Sequence, residues 1–217
     1  MSRASTARER LTRDRIVLAA LEFADEHGIE ALKMRDLAQR LGFEAMALYR
    51  HVPKKDAILE GILDLVLREV EMPPATGDWA DGIRTGAISF HEALDRHPWA
   101  AALLTKPVGL RPARAEFAES LLARLADAGF SAEVSFHAYH VLDAWIIGYS
   151  LWLTGHPTTA GERESVAERL GRGDISFDDY PRMAAHRDLH ATDGPHRDVS
   201  AFEVGLDLML DGLKGLR

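Results

Sequence analysis

Cysteine is absent from the 217 residues, which excludes disulfide frameworks, thiolate metal sites and cysteine nucleophiles at the outset. Long apolar runs are missing as well: each hydrophobic stretch is interrupted by Asp, His or Gly well short of the roughly 20 residues that a membrane span requires. The first ten residues are polar and arginine-rich with no apolar segment behind them, and read as neither a signal peptide nor a membrane anchor. No stretch alternates at period two, and no Asn-Gly or Asp-Gly turn joins β-branched runs, so no sheet is expected. A nucleophile elbow and a phosphate-cradling glycine loop are also lacking, which removes the enzymes that carry such local signatures. What remains is a soluble, all-α chain long enough to bury a core of its own.

Positive charge is in deficit overall, with a formal net charge of −8, but it is not evenly spread. Residues 1–55 hold eleven Lys and Arg against eight Asp and Glu, whereas the rest of the chain holds fifteen against twenty-six. The basic end is therefore the one suited to approach a polyanion. Its first ten residues read as a flexible basic arm in which Arg3, Arg8 and Arg10, with Arg13 just beyond, either touch DNA phosphates and the minor groove or serve as a solubilising tail.

Apolar residues recur at spacings of three and four from Thr12 to His27, the period of an amphipathic helix, with Thr12 as cap, Asp14 in the first turn and Gly28 as the stop. Short helices are expected from about Lys33 to Leu41, closed by Gly42, and from about Ala45 to His51. A turn at Pro53 leads into a longer helix from Lys55 to about Val70. Pro73, Pro74 and Gly77 form the clearest break in the chain, and the boundary between two domains is expected just before it, giving 11–66 and 67–217. Helical periodicity continues over Trp79–Arg96, Pro98–Thr105, Arg114–Ala128, Ala132–Leu153, Glu162–Leu170 and Phe202–Leu216. Residues 171–200 read as a loop with a short helix around Pro181–His190.

The run from Arg35 to His51 has the parts of a helix-turn-helix. Ala38 is small where two helices cross, Gly42 suits the left-handed turn between them, and Leu37, Leu41 and Leu48 supply a buried hinge. A second helix so mounted is free to lie in a major groove, although a purely structural helical hairpin has the same spacing.

The residues Leu11-Thr-Arg-Asp-Arg-Ile16, Met34-Arg-Asp-Leu-Ala-Gln-Arg-Leu-Gly42 and Ala47-Leu-Tyr-Arg-His-Val-Pro-Lys-Lys-Asp56 resemble the tetracycline-repressor family of transcriptional regulators. Phe90-His-Glu-Ala-Leu-Asp-Arg-His-Pro-Trp99, Ala128-Gly-Phe-Ser131 and Phe202–Leu213 resemble the C-terminal domain of the branch that includes the tetracycline repressor itself, so the likeness covers nearly the whole chain. It implies an N-terminal three-helix DNA-binding domain and a larger C-terminal helical domain for effector binding and dimerisation. It implies, too, a cytoplasmic homodimer that acts as a repressor on a palindromic operator in double-stranded DNA and is released by a small molecule. By the resemblance, Arg35 contacts a base or phosphate, Glu44, Ala45, Met46 and Ala47 face bases, and Tyr49, Arg50, His51 and Lys55 hold the backbone. Glu44 stands where most relatives carry a small hydroxyl or glycine, and Ala45 replaces a polar reader. Specificity is therefore expected to lean on thymine methyl contacts, Arg35 and Arg50.

The last helix carries an apolar stripe of Phe202, Leu206, Met209, Leu213 and Leu216, with Gly205 and Gly212 small enough to admit another backbone; the stripe suits either a partner or the chain's own core. The resemblance favours the partner, pairing this helix and the one around Tyr139–Leu153, with Trp145 and Trp152, into a four-helix bundle. Phe90, Trp99, His137, His140, Trp145 and Tyr149 are the expected effector-binding residues, an aromatic set with polar tips. Gly86 and Leu121 replace polar ligand contacts implied by the resemblance, and Leu104 falls near its magnesium-holding histidine. The expected effector is thus metal-free and more apolar than magnesium-tetracycline, with no cofactor. The competing reading is a helical metal sensor or small helical enzyme built on His137, His140 and Asp143; the pair His186 and His190 is too sparse for a metal site.

Overall fold

A computed structural model describes residues 10–73, 77–106, 111–154, 177–185 and 200–217. The basic arm expected over residues 1–10 therefore lies outside it except for Arg10, as do the helix expected over Glu162–Leu170 and the pair His186 and His190. Among the described residues every regular element is helical, and no helix is long and apolar enough to cross a membrane.

Helix α1 (Arg13–His27) starts where the Thr12 hydroxyl accepts from the Arg15 backbone N–H at 3.2 Å, with Asp14 in the first turn against the helix dipole. A 3-10 turn (Ile29–Ala31) leads to α2 (Met34–Leu41), α3 (Ala45–Tyr49) and α4 (Lys55–Arg68). α3 ends two residues before the expected His51, because the His51 and Val52 N–H groups both turn back to the Leu48 carbonyl at 2.9 Å. α4 also stops short of Val70, tightening into i→i+3 bonds from Glu69 to Val66 and from Val70 to Leu67.

The second half comprises α5 (Trp79–Arg96), α6 (Pro98–Leu104), α7 (Pro112–Asp127), α8 (Ala132–Thr154) and α9 (Ala201–Lys214), with a 3-10 turn at Phe177–Asp179 and a short helical run over 181–185. Asp78 caps α5 through bonds from the Ala80 and Asp81 N–H groups. Pro98 opens α6, where its missing N–H costs nothing and its fixed φ suits a first turn.

One continuous core runs from Leu11 to Leu213. α4 joins the halves, packing against α1 on one side and against α5, α6 and α7 on the other. Its approach to α1 requires a glycine: a Cβ at Gly61 would lie 2.8 Å from a Val17 methyl. α8 is the spine of the second half, touching α5, α6, α7 and α9.

A polar joint fastens α1 to the α5–α6 corner. His97 is nearly buried, and its Nδ1 lies 2.7 Å from Asp25 on α1 while its Nε2 lies 3.0 Å from Glu69 at the end of α4. The Trp99 indole N–H donates to the same Asp25 oxygen at 2.7 Å, and Arg96 donates twice to Glu69. Burial pushes the Glu69 carboxyl upward, but the bonds from Arg96 and His97 outweigh it and hold the group below its ordinary range.

Candidate nucleic-acid interface and effector site

The turn between α2 and α3 is set by Gly42, at φ 75° and ψ 30°, a left-handed conformation that side chains resist. The Gly42 N–H reaches the Gln39 carbonyl at 3.0 Å and the Phe43 N–H reaches Ala38 at 2.9 Å, so the orphan carbonyls of α2 are satisfied as the chain swings over. Leu37, Ala38 and Leu48 are buried beneath this turn and Leu41 is half-buried. The two short helices thereby stand as one rigid unit on α1, with which α2 is in contact.

On the outer side of that unit Glu44, Met46, Tyr49, Arg50 and His51 are exposed, with Arg35 exposed on α2 and Lys55 half-exposed at the start of α4. Met46 is 69% exposed, and the Glu44 side chain makes no cap bond. Ala45 and Ala47, expected with Glu44 and Met46 to face bases, are half-buried and lean against the core. Helical geometry accounts for Ala45, which shares the inner face with buried Leu48 three residues on. Arg40 makes a bidentate pair with Glu26 at 2.6 Å and a longer contact with Glu22, so its charge is spent on α1. The cations left exposed around α3 are Arg35, Arg50 and Lys54.

Of the six residues expected to bind effector, Trp145 and Tyr149 are in ring contact at 5.4 Å, and the other four face other neighbours. Trp99 is in the α1 joint, where its indole is committed to Asp25. His137 and His140 lie on the exposed side of α8, and His140 Nδ1 sits 2.8 Å from the Phe136 carbonyl. Trp145 and Tyr149 belong to an aromatic stack with Phe202 and His91; the His91 ring lies parallel to Phe202 at 4.2 Å and its Nδ1 is 2.8 Å from the buried Ser150 hydroxyl. Burial lowers the His91 pKa, against an upward pull from Asp95 and Glu92.

Phe90 faces a different neighbourhood. It is fully buried, meets Phe117 edge-on at 5.0 Å and carries the Arg114 guanidinium 5.3 Å from its ring centre. Arg114 on α7 pairs with Asp143 on α8, and its Nη1 is buried without a partner. The phenol of Tyr139, half-buried, titrates higher than usual because burial disfavours the phenolate, with Arg114 pulling it down and Asp143 pushing it up. Arg114 was not legible as a site residue: it meets Asp143 across two helices, and no local spacing announces such a pair.

The metal or acid–base reading of His137, His140 and Asp143 is not supported. Asp143 is committed to Arg114, and no group of three or more His, Asp or Glu among the described residues is arranged to hold a metal ion.

The stripe on α9 is corrected as well. Phe202, Leu206 and Leu213 are buried in the chain's own core, Met209 is half-buried against it, and the ring of Trp145 occupies the space over Gly205, with its N–H donating to the Phe202 carbonyl at 3.2 Å. The open face of α9 is the opposite one, where Val204 is 45% and Leu208 70% exposed. Beside it on α8, Val141, Leu151 and Trp152 are exposed, and nothing lies within 4 Å of a Cβ built at Gly148 or Gly212.

A rigid two-helix unit with an exposed, cation-flanked second helix, carried on a larger helical body, defines a helix-turn-helix regulator. The comparisons with known proteins carry this to the family. Residues 16–62 match the family model for bacterial regulatory proteins of the tetR family, and residues 73–217 match that for the tetracyclin repressor-like C-terminal domain; the chain belongs to the TetR family of DNA-binding transcriptional regulators. It is similar to an HTH-type transcriptional regulator of Saccharopolyspora erythraea, 38% identical over 182 residues that cover 81% of this chain and 75% of that protein. It is also similar to the class A tetracycline repressor protein from transposon 1721 of Escherichia coli, 32% identical with 91% and 88% of the two chains covered. Among solved structures, Streptomyces coelicolor ActR in complex with actinorhodin superposes with a TM-score of 0.77 at 28% identity, over 95% of this chain and 98% of that one.

Proposed function

We propose that this chain is a cytoplasmic homodimeric repressor that reads a palindromic operator through α2 and α3 and is released by a small, largely apolar effector. The observation that carries the reading is the exposed outer face of α3, held by the Gly42 turn and flanked by Arg35 and Arg50. Residues 11–66 form the DNA-binding domain and 67–217 the effector-binding and dimerisation domain. Arg35, Glu44 and Met46 reach base edges, while Tyr49, Arg50, His51 and Lys55 supply the hydroxyl, guanidinium, imidazole and ammonium donors for phosphate. Ala45 and Ala47 allow close approach rather than making polar contacts. One half-site specifies only a few base pairs, and two-fold pairing supplies the rest.

The effector sits among α5, α7 and α8, against Phe90 and Phe117, where the unpartnered Arg114 Nη1 offers one donor to an otherwise apolar molecule. Binding shifts the population toward a dimer whose recognition helices are wrongly spaced for successive major grooves, through α4, which touches both halves. A requirement for reciprocity follows: the effector lowers operator affinity by the factor by which operator lowers effector affinity.

Selection from a random DNA pool with the purified protein tests the reading. The expected result is a palindrome with half-sites about one helical turn apart. No enrichment from protein shown to be folded, dimeric and ligand-free overturns it.

A further inference from the structure

We propose that the segment from Glu69 to Pro73 is a strap that carries effector binding to α1, with the Met72 side chain as the stopper that the effector displaces. It rests on the effector site argued above. After α4 the chain turns back along α5 and is fastened there along its length. Glu69 accepts from Arg96 and lies against His97. The Glu71 N–H donates to the Ser89 hydroxyl at 2.9 Å. Met72 then covers Gly86, where a Cβ would overlap the Met72 sulfur. The Pro73 carbonyl accepts from the buried Arg124 guanidinium of α7.

Gly86 and Phe90 stand one turn apart on the same face of α5, and both are buried. The Met72 thioether therefore fills the space next to the Phe90 wall of the effector site. Met72 suits a displaceable filler: it is half-buried, and an unbranched, flexible side chain leaves and re-enters a gap at little cost. Gly86 supplies the gap, since a larger residue there would hold the thioether out. A ring that packs on Phe90 and extends over Gly86 takes the place of the sulfur. The far end of the strap makes that displacement consequential. Glu69 shares His97 with Asp25 of α1, and α1 carries the α2–α3 unit. Movement of Met72 is passed along the short stretch of chain between them to this joint. A side chain with two seats, in over Gly86 and out toward solvent, is the two-state element that coupling between distant sites requires.

Gly86→Ala places a methyl where the sulfur lies and imitates the effector. Met72→Gln keeps the length of the side chain but favours water, and reaches the displaced state without crowding α5. The first readout needs no DNA: the Trp99 indole N–H, which donates to Asp25 in the joint, is followed by heteronuclear NMR and assigned with Trp99→Phe. The second is affinity for the operator recovered from the random pool, measured without effector. Circular dichroism and a melt show which variants are folded, and Met72→Gln alone decides the matter where Gly86→Ala is not. The expected result is that both variants shift the Trp99 signal and weaken operator binding about tenfold, within the usual range of coupling between sites. Gly86→Ala in a chain that already carries Met72→Ala is expected to change neither readout. An unmoved Trp99 signal in Gly86→Ala or Met72→Gln overturns the strap. A shift that persists in the Met72→Ala chain also overturns it, because the added methyl then acts without the stopper. A shifted signal with unchanged operator affinity overturns the link to α1. A wild type that recovers no operator defeats the function proposed above and not the strap, which the Trp99 comparison judges alone.

Discussion

Arg50 closes α3 and Arg35 stands on the first turn of α2, both exposed and, among the described residues, without a hydrogen bond to an acid. Their places predict different consequences. Arg50→Ala is expected to weaken operator and random DNA alike and to flatten the slope of log affinity against log salt by about 0.9, the value of one lost phosphate contact. Arg35→Ala is expected also to broaden the sequences recovered from a random pool, because a base contact carries discrimination of about 1–3 kcal/mol. Fluorescence anisotropy at several salt concentrations separates the two; equal losses with unchanged slopes would remove the division of roles. His91 yields a prediction of another kind. Its pKa is depressed by burial, so the unfolded chain takes up a proton near pH 6.5 that the folded chain refuses. The stability this neutral ring contributes is complete above that pH and is lost as pH falls through the lower folded value. Urea denaturation of the wild type should therefore show declining stability from pH 6.5 downward, and a shallower decline in His91→Asn.

The α1 joint is where helices, rather than single contacts, are at stake. Asp25 accepts from both His97 and Trp99, and Trp99 is 8% exposed. Asp25→Ala leaves the indole N–H in a nearly dry place without an acceptor, a loss of about 1–3 kcal/mol. Asp25→Asn keeps an acceptor oxygen and should recover part of it; a urea midpoint for Asp25→Ala equal to that of the wild type would show the joint to be incidental. Glu69 adds a second pH dependence. Because Arg96 and His97 hold its carboxyl below the ordinary value of 4.5, its contribution is complete above that value and is lost as pH falls through the lower folded one. None of this joint was legible in the chain, for Asp25, Glu69 and His97 are far apart in sequence. The helices themselves were legible. Thr12, Gly28 and Gly42 act through their own neighbours in the chain, and α5 has both ends where its periodicity put them. Helix ends failed where the final turn tightened, after Tyr49 and after Arg68, a choice made by packing beyond the local pattern. The expected effector residues are spread over the fold for a related reason: aromatic residues on α5, α6 and α8 share a composition but face different neighbours.

Both sides of α9 are apolar, and periodicity alone could not say which one a partner would meet. The chain resolves it by using Phe202, Leu206, Leu210 and Leu213 for itself, which leaves Val204 and Leu208 beside the open glycines Gly148 and Gly212. Exposed apolar residues also stand on α8, at Val141, Leu151 and Trp152, and apolar residues grouped on a surface mark interaction sites more often than scattered ones do. A four-helix pairing of α8 and α9 with their copies would cover these residues and set the separation of the two α3 helices. The two sides of α9 then predict opposite outcomes. Leu206→Arg buries a charge in the chain's own core and should cost several kcal/mol, unfolding the protein. Leu208→Arg should leave the helical content and the monomer fold intact while moving the sedimentation coefficient to that of a single chain. Operator affinity should fall to the level of random DNA, because one half-site cannot compete with the paired arrangement. A dimer that persists in Leu208→Arg would move the interface off this face, and a monomer that still binds the operator tightly would break the link between pairing and recognition.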